Sequence, residues 1–215
     1  FGSSTGWESK VEMGKGRSMG IEFMAQKTLG KTTGWLSYTL SKSDRKFAKG
    51  GINNGERFPY KYDRRHNINL TVNHKFNERI DIGASWVFYT GGTSTIPEEK
   101  TAIIRPGNGA NNGYTPGYED YYNPAYNNSP NIGESNYVEH RNNYRLPASH
   151  RLNIGINFNR KTKHGMRIWN ISLYNAYNSM NPAWVYRAYN YDGKAVIKKY
   201  TLLPCIPSFT YTYKF

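Results

Sequence analysis

Residues 67–76 read Asn-Ile-Asn-Leu-Thr-Val-Asn-His-Lys-Phe, with polarity changing at almost every step. A period of two is that of a β-strand. It puts Ile68, Leu70, Val72 and Phe76 on one face and Asn67, Asn69, Thr71 and Asn73 on the other. The pattern recurs on both sides. Ile21, Phe23, Ala25 and Leu29 oppose Glu22, Met24 and Gln26, and Leu36, Tyr38 and Leu40 oppose Ser37, Thr39 and Ser41. Downstream, Ile80, Ile82, Ala84, Trp86 and Phe88 oppose Asp81, Gly83 and Ser85. Leu152, Ile154, Ile156 and Phe158 oppose Arg151, Asn153 and Asn157, and Trp169, Ile171, Leu173 and Tyr177 oppose Asn170, Ser172 and Tyr174. The chain closes on Phe-Thr-Tyr-Thr-Tyr-Lys-Phe, with Phe209, Tyr211, Tyr213 and Phe215 on one side. The alternation predicts strands over approximately 18–29, 34–46, 63–76, 79–90, 148–159, 166–178 and 197–215, the last interrupted at Pro204 and Pro207.

The connections fall into two kinds that take turns along the chain. Gly30–Gly34, Asn77–Arg79 and Asn159–Gly165 are short, whereas Asp44–Tyr62, Gly91–Pro147 and Ser179–Lys194 are long. An up-and-down sheet then carries every short turn at one end and every long segment at the other. That asymmetry belongs to outer-membrane barrels, with short periplasmic turns and long extracellular loops. A soluble sandwich has no reason to keep its long loops on one side, and a structureless segment as long as 91–147 is unusual in a soluble domain.

Composition agrees with an all-β chain. Of 215 residues, 37% are hydrophobic and 15% aromatic, with 21 Gly and 19 Tyr, so apolar matter resides in aromatics and short β-rich runs rather than in Leu/Ala-rich helical stretches. No apolar run of about 18 residues is present, which excludes a transmembrane helix. A mean hydropathy of -0.79 does not exclude a membrane, because barrel strands alternate and average out. The polar faces hold Asn, Ser, Thr and Gly, small groups suited to a crowded wet lumen, where a solvated face would carry Lys and Glu. Aromatic residues near strand ends, among them Trp35, Phe76, Trp86, Phe88, Trp169 and Tyr177, fit interfacial girdles. The net charge of +14 admits nucleic acid as a rival partner. The basic residues are spread through turns and loops at both strand ends, however, and anionic outer-membrane lipid and lipopolysaccharide account for them without nucleic acid.

Seven strands do not close a barrel, and an open edge in lipid leaves backbone groups unpaired at several kcal/mol each. With no initiator Met or leader at Phe1, residues 1–215 are expected to be the C-terminal portion of a larger antiparallel transmembrane barrel. Its N-terminal strands would then lie upstream. The apolar side of Phe209, Tyr211, Tyr213 and Phe215 would face lipid on the strand that pairs with the first to close the ring.

Several segments resemble the C-terminal barrel of TonB-dependent outer-membrane receptors of the Bacteroidota type. They are residues 14–22 (GKGRSMGIE), 35–41 (WLSYTLS), Phe58-Pro59 followed by 62–67 (YDRRHN), 144–152 (YRLPASHRL), 174–178 (YNAYN) with Asn181-Pro182, and 203–208 (LPCIPS) leading into the aromatic final strand. The resemblance covers nearly the whole chain. It implies a barrel of about 22 strands around a plug domain and active uptake of a nutrient such as a siderophore, vitamin, glycan or peptide, energised through the TonB complex. It also implies a final aromatic strand that serves as the barrel-assembly signal, an outer-membrane location with the C-terminus at the periplasmic side, and a place for a SusD-like surface lipoprotein. Plug and TonB box lie N-terminal in that family and are not among these residues.

The residues point to no enzyme, cofactor or metal. His66, His74, His140, His150 and His164 are scattered, and Cys205 stands alone. Gly14-Lys15-Gly16 lacks the strand, glycine and helix that a phosphate loop needs. Glu119, Asp120 and Glu134 have no calcium-loop spacing. Asp63, Arg64 and Arg65, where a long loop re-enters a strand, read as a charge cluster that anchors the loop, and Arg151 reads the same way; contact with ligand or lipopolysaccharide is the functional alternative. Tyr114, Tyr118, Tyr121, Tyr122, Tyr126 and Tyr137 form a loop suited either to recognising a ligand or partner or to folding over the barrel mouth. Other readings of the whole are a passive porin or surface adhesin on a similar barrel and, more remotely, a soluble basic β-domain that binds nucleic acid.

Overall fold

The computed structural model describes residues 11–105 and 131–215. The described residues fall into two compact units, 11–95 with 140–215 and 96–105 with 131–139.

The larger unit is built on one antiparallel sheet. Its long strands are β1 (Lys15–Lys27), β2 (Thr32–Lys46), β4 (His66–Lys75), β5 (Ile80–Tyr89), β10 (Ser149–Thr162), β11 (Gly165–Tyr174) and β14 (Ile206–Lys214), in the order β1-β2-β4-β5-β10-β11-β14, with the short β3 (Phe58–Pro59) on β2. Each long strand pairs with the next long strand in the chain, the up-and-down order that the alternating connections predict. Among the described residues β1 and β14 are edges, and the sheet does not close on itself.

Register makes each face continuous. Ala25, Leu36, Leu70, Trp86 and Leu152 are successive cross-strand partners, as are Ile82, Ile156, Ile171 and Phe209, and Ile80, Phe158, Trp169 and Tyr211. The opposite face carries rows such as Lys75, Asp81, Asn157, Asn170 and Thr210, and Asn73, Gly83, Gly155, Ser172 and Ser208. A slip of one residue in any pair would exchange the two sets, so the hydrophobic pattern specifies the register. Among the described residues of the larger unit, the apolar face is not packed against a second layer. Phe58 and Ile96 are the buried hydrophobic residues among those described, while Ile171 is 50% exposed and Phe209 62%.

The short turns are chemically specified. Gly30 adopts φ +91° between β1 and β2, a region open to glycine without a Cβ clash. Asn77 Oδ1 accepts from the amides of Arg79 and Ile80 at 2.8 and 2.9 Å, an Asx turn between β4 and β5. Between β10 and β11 only Lys163 and His164 intervene, so β10 extends over residues 159–162, which the sequence reading gave to a turn. The apolar pattern stops at Phe158 although the backbone ladder does not, and periodicity cannot register a strand that continues beyond its apolar band.

The long connections contain more structure than the sequence reading expected. The first holds a 3-10 turn, Ile52–Gly55, and β3. The second holds the paired β6 (Thr93–Ser94) and β9 (Tyr144–Arg145) in the larger unit. In the smaller unit β7 (Glu99–Arg105) and β8 (Asn131–Tyr137) form an antiparallel hairpin. In the third, β12 (Pro182–Tyr189) and β13 (Ala195–Thr201) form a separate hairpin. The final strand therefore runs over 206–214, not 197–215. Leu203 turns the chain with φ +59° just before Pro204, and β13 pairs with β12 instead of extending β14. Trp35, counted with the aromatic girdle, lies on the polar face opposite Thr71, because the even-numbered residues of β2 form its apolar side.

Candidate functional site

Two features set apart the long-connection end of the sheet and its polar face. One is a pair of buried polar knots at the roots of the loops, and the other is a hydrogen-bonded amide array on the polar face.

The first knot centres on Asp63, 1% exposed. Its Oδ1 accepts from the Ser43 amide at 2.6 Å, and its Oδ2 from Arg65 Nε at 3.1 Å and Arg145 Nη2 at 2.6 Å. Arg145 Nη1 also donates to the carbonyls of Asp63 at 2.8 Å and Gly91 at 2.9 Å. One guanidinium thus ties the first long connection to both ends of the second. Burial would raise the Asp63 carboxyl, but the Ser43 amide and the Arg145 and Arg65 guanidinium groups outweigh it and hold the carboxyl below its ordinary value. Around this centre Thr93 donates its amide to Lys61 O at 3.0 Å and its hydroxyl to Tyr60 O at 3.0 Å. Asn142 Nδ2 donates to Pro59 O at 2.8 Å, and Asn53 Oδ1 accepts from the Arg141 amide at 2.8 Å. Arg57 pairs with the buried Asp44, and Arg45 lies 4.1 Å over the Tyr60 ring.

Of the residues singled out from sequence, the structure joins Asp63 and Arg65 and adds Arg145. Arg64 instead lies 4.0 Å over the Tyr89 ring. Arg151 sits on the polar face, 4.4 Å over the Tyr174 ring and hydrogen-bonded to its hydroxyl, while its buried Nε has no hydrogen-bond partner among the described residues. Tyr114, Tyr118, Tyr121, Tyr122 and Tyr126 lie outside the described residues, as do Glu119 and Asp120. Tyr137, at the end of β8, is 50% exposed. Among the described residues no group of His, Cys, Asp and Glu has metal-binding geometry.

The second knot was invisible as chemistry in the sequence. Asn175, 1% exposed with φ +53°, donates Nδ2 to Ser179 O at 3.0 Å and Leu203 O at 3.1 Å, and accepts the Ser179 amide at 2.8 Å. Its own amide reaches Asn153 Oδ1 at 3.1 Å. Asn178 Oδ1 accepts from the Cys205 amide at 3.0 Å, and Asn181 exchanges two hydrogen bonds with the His150 backbone at 2.9 and 2.8 Å. The YNAYN segment with Asn181-Pro182 is thus a clamp at the root of the third long connection. A run of asparagines beside a strand end was the only signal, since Asn tolerates left-handed backbone and can bond its neighbours.

The polar face carries an array of its own. Asp81 accepts from Asn157 Nδ2 at 2.7 Å and Asn159 Nδ2 at 2.6 Å, and Asn157 Oδ1 accepts from Asn170 Nδ2 at 2.7 Å. Beside it, Gly83 and Gly155 are direct partners and leave a shallow depression edged by Asn73, Ser85, Asn153 and Ser172. On the other face Trp169 meets the rings of Phe209 and Tyr211 at centroid distances of 5.2 and 4.5 Å. Phe215 is fully exposed. The arrangement offers hydrogen-bonding surface on one side and aromatic surface on the other.

No protein-family model, curated protein or solved structure matches the chain.

Proposed function

We propose that these residues form the C-terminal part of an outer-membrane barrel of the TonB-dependent receptor type, which imports a scarce nutrient with its long connections outside the cell. The observation that carries this reading is the uncovered apolar face: seven antiparallel strands share it, and among the described residues of the larger unit no second layer covers it. A water-soluble protein of this length would bury such a face to be stable. In a bilayer acyl chains cover it, while the polar face, with its Asn and Ser array, lines a wet interior. The long connections, all at one end and anchored by buried polar knots, support a rigid extracellular rim. The two sheet edges require further strands, which a larger barrel supplies. The family assignment rests on the sequence resemblance, and the uptake function rests on the family.

The test uses the complete gene product. It should need detergent for extraction and migrate differently on a gel before and after heating. Uptake of its nutrient should stop when the inner-membrane energising complex is deleted. Uptake that persists without that complex favours a passive pore, and a polypeptide that is soluble, compact and monomeric without amphiphile overturns the membrane reading altogether.

A further inference from the structure

Where the apolar band ends on the short-turn side, three arginines surround one depression. Register sets Arg160 directly opposite Arg167, and Arg167 opposite Tyr213, one step beyond the Phe158–Trp169–Tyr211 row on the same face. Arg160 and Arg167 are both exposed. The depression, of about 740 Å³, is lined in part by Glu78, Arg79, Phe158, Arg160, Arg167 and Trp169. Its one lining carboxylate, Glu78, already accepts from Lys161 Nζ at 2.9 Å. Among the described residues no carboxylate pairs with Arg79, Arg160 or Arg167.

Like charges placed directly opposite on an antiparallel pair repel each other. An anion between them reverses the sign of that interaction, and the guanidinium fork fits a phosphate better than it fits a single-point acceptor. What adjoins the arginines narrows the choice of anion. On one side lie Phe158, Trp169 and Ile171, an apolar surface that a small inorganic ion would not use; on the other lies the polar short-turn rim. We propose that Arg160 and Arg167, assisted by Arg79, hold the phosphate of an anionic phospholipid whose acyl chains lie along Phe158, Trp169 and Ile171. The inference rests on the membrane reading above, since only in a bilayer do acyl chains meet this face.

The complete gene product, purified in uncharged detergent and stripped of lipid, is titrated with phosphatidylglycerol and phosphatidylcholine, with bound lipid counted by native mass spectrometry. The wild type should prefer phosphatidylglycerol. The variant Arg160→Gln with Arg167→Gln should bind it about thirtyfold more weakly, the combined effect of two surface cations. Arg17→Gln, at the opposite end of the sheet, should change nothing, and millimolar inorganic phosphate should not displace the lipid. If the double variant does not reach the heat-modifiable form, Arg160→Gln alone is read instead, with a loss of about fivefold. Equal phosphatidylglycerol binding by wild type and folded variant overturns the site and leaves the barrel reading intact. Displacement by inorganic phosphate makes it a site for a free anion and overturns the lipid. A protein that dissolves without detergent overturns both readings together.

Discussion

Asp63 ties strand β2 and the roots of two long connections together. Two guanidinium groups and an amide converge on its carboxylate, so Asp63→Asn would leave Arg145, itself partly exposed, against a neutral partner. Hydrogen bonds to a charged group are worth about 1.5–3 kcal/mol, less where the partner is solvated as the two arginines partly are, and the variant should show a lowered thermal midpoint in detergent. The pH dependence has a definite sign. The unfolded carboxyl titrates near 3.8 and the folded one lower, so the stabilisation is complete above about pH 5 and is lost progressively as pH falls through the unfolded and then the folded value. Acid titration of wild type against Asp63→Asn, followed by intrinsic fluorescence, should show an acid-dependent loss of stability that the variant lacks. Asn175 carries a similar load without charge. Asn175→Ala places a Cβ-bearing residue with no polar side chain at φ +53° and strips the Leu203 and Ser179 carbonyls of their donor. The cost should be about 1–3 kcal/mol. Because the clamp fixes the root of the third long connection, limited proteolysis should cut residues 190–194 sooner in the variant.

At the scale of the strand, alternation decides which substitutions the sheet can accept. Ile171 and Ser172 are neighbours on opposite faces of β11, and Ile171 is half exposed. On a surface in water Ile171→Arg would be nearly neutral, within about 0.5 kcal/mol. Facing hydrocarbon, it should cost roughly 2–4 kcal/mol. Equilibrium unfolding from lipid vesicles should therefore find Ile171→Arg strongly destabilised and Ser172→Arg much less so; parity between the two would remove the lipid from the account. The strands were legible in sequence because each side chain votes on the same two-residue period. Their ends were less so. β10 runs past its apolar band to Thr162, and residues 197–201 belong to a hairpin with β12 although their composition suits the final strand. Propensity does not reveal which partner a segment will choose.

At the largest scale, the decisive fact is a wide sheet in the larger unit whose apolar face stays largely exposed among the described residues. Seven strands hydrogen-bond in chain order; one face is mainly apolar and the other mainly polar, with Trp35 on the polar side and Arg160 and Arg167 at the end of the apolar one. The last strand presents Phe209, Tyr211 and Tyr213 beside an open edge, followed by the fully exposed Phe215. If this strand is the assembly signal, deleting Phe215 should lower the amount of heat-modifiable protein in outer membranes by several-fold. The residual folded protein should keep its thermal midpoint, because Phe215 touches little besides the Tyr213 ring at 6.5 Å. Equal assembly with and without Phe215 would take that role away from it.

The all-β class, the number of long strands, the alternation of short and long connections, and the division into an apolar and a polar face are all legible in the residue order. All of these follow from local periodicity and turn chemistry, which neighbouring residues encode without knowledge of distant ones. It takes the folded sheet to show that Asp63 is held by Arg145 as well as by Arg65, that Arg151 goes to Tyr174, that Asn175 gathers Ser179 and Leu203, and that Arg160 confronts Arg167. Those pairings depend on strand register and loop return, which bring together groups as many as 82 positions apart, and no local pattern carries that information.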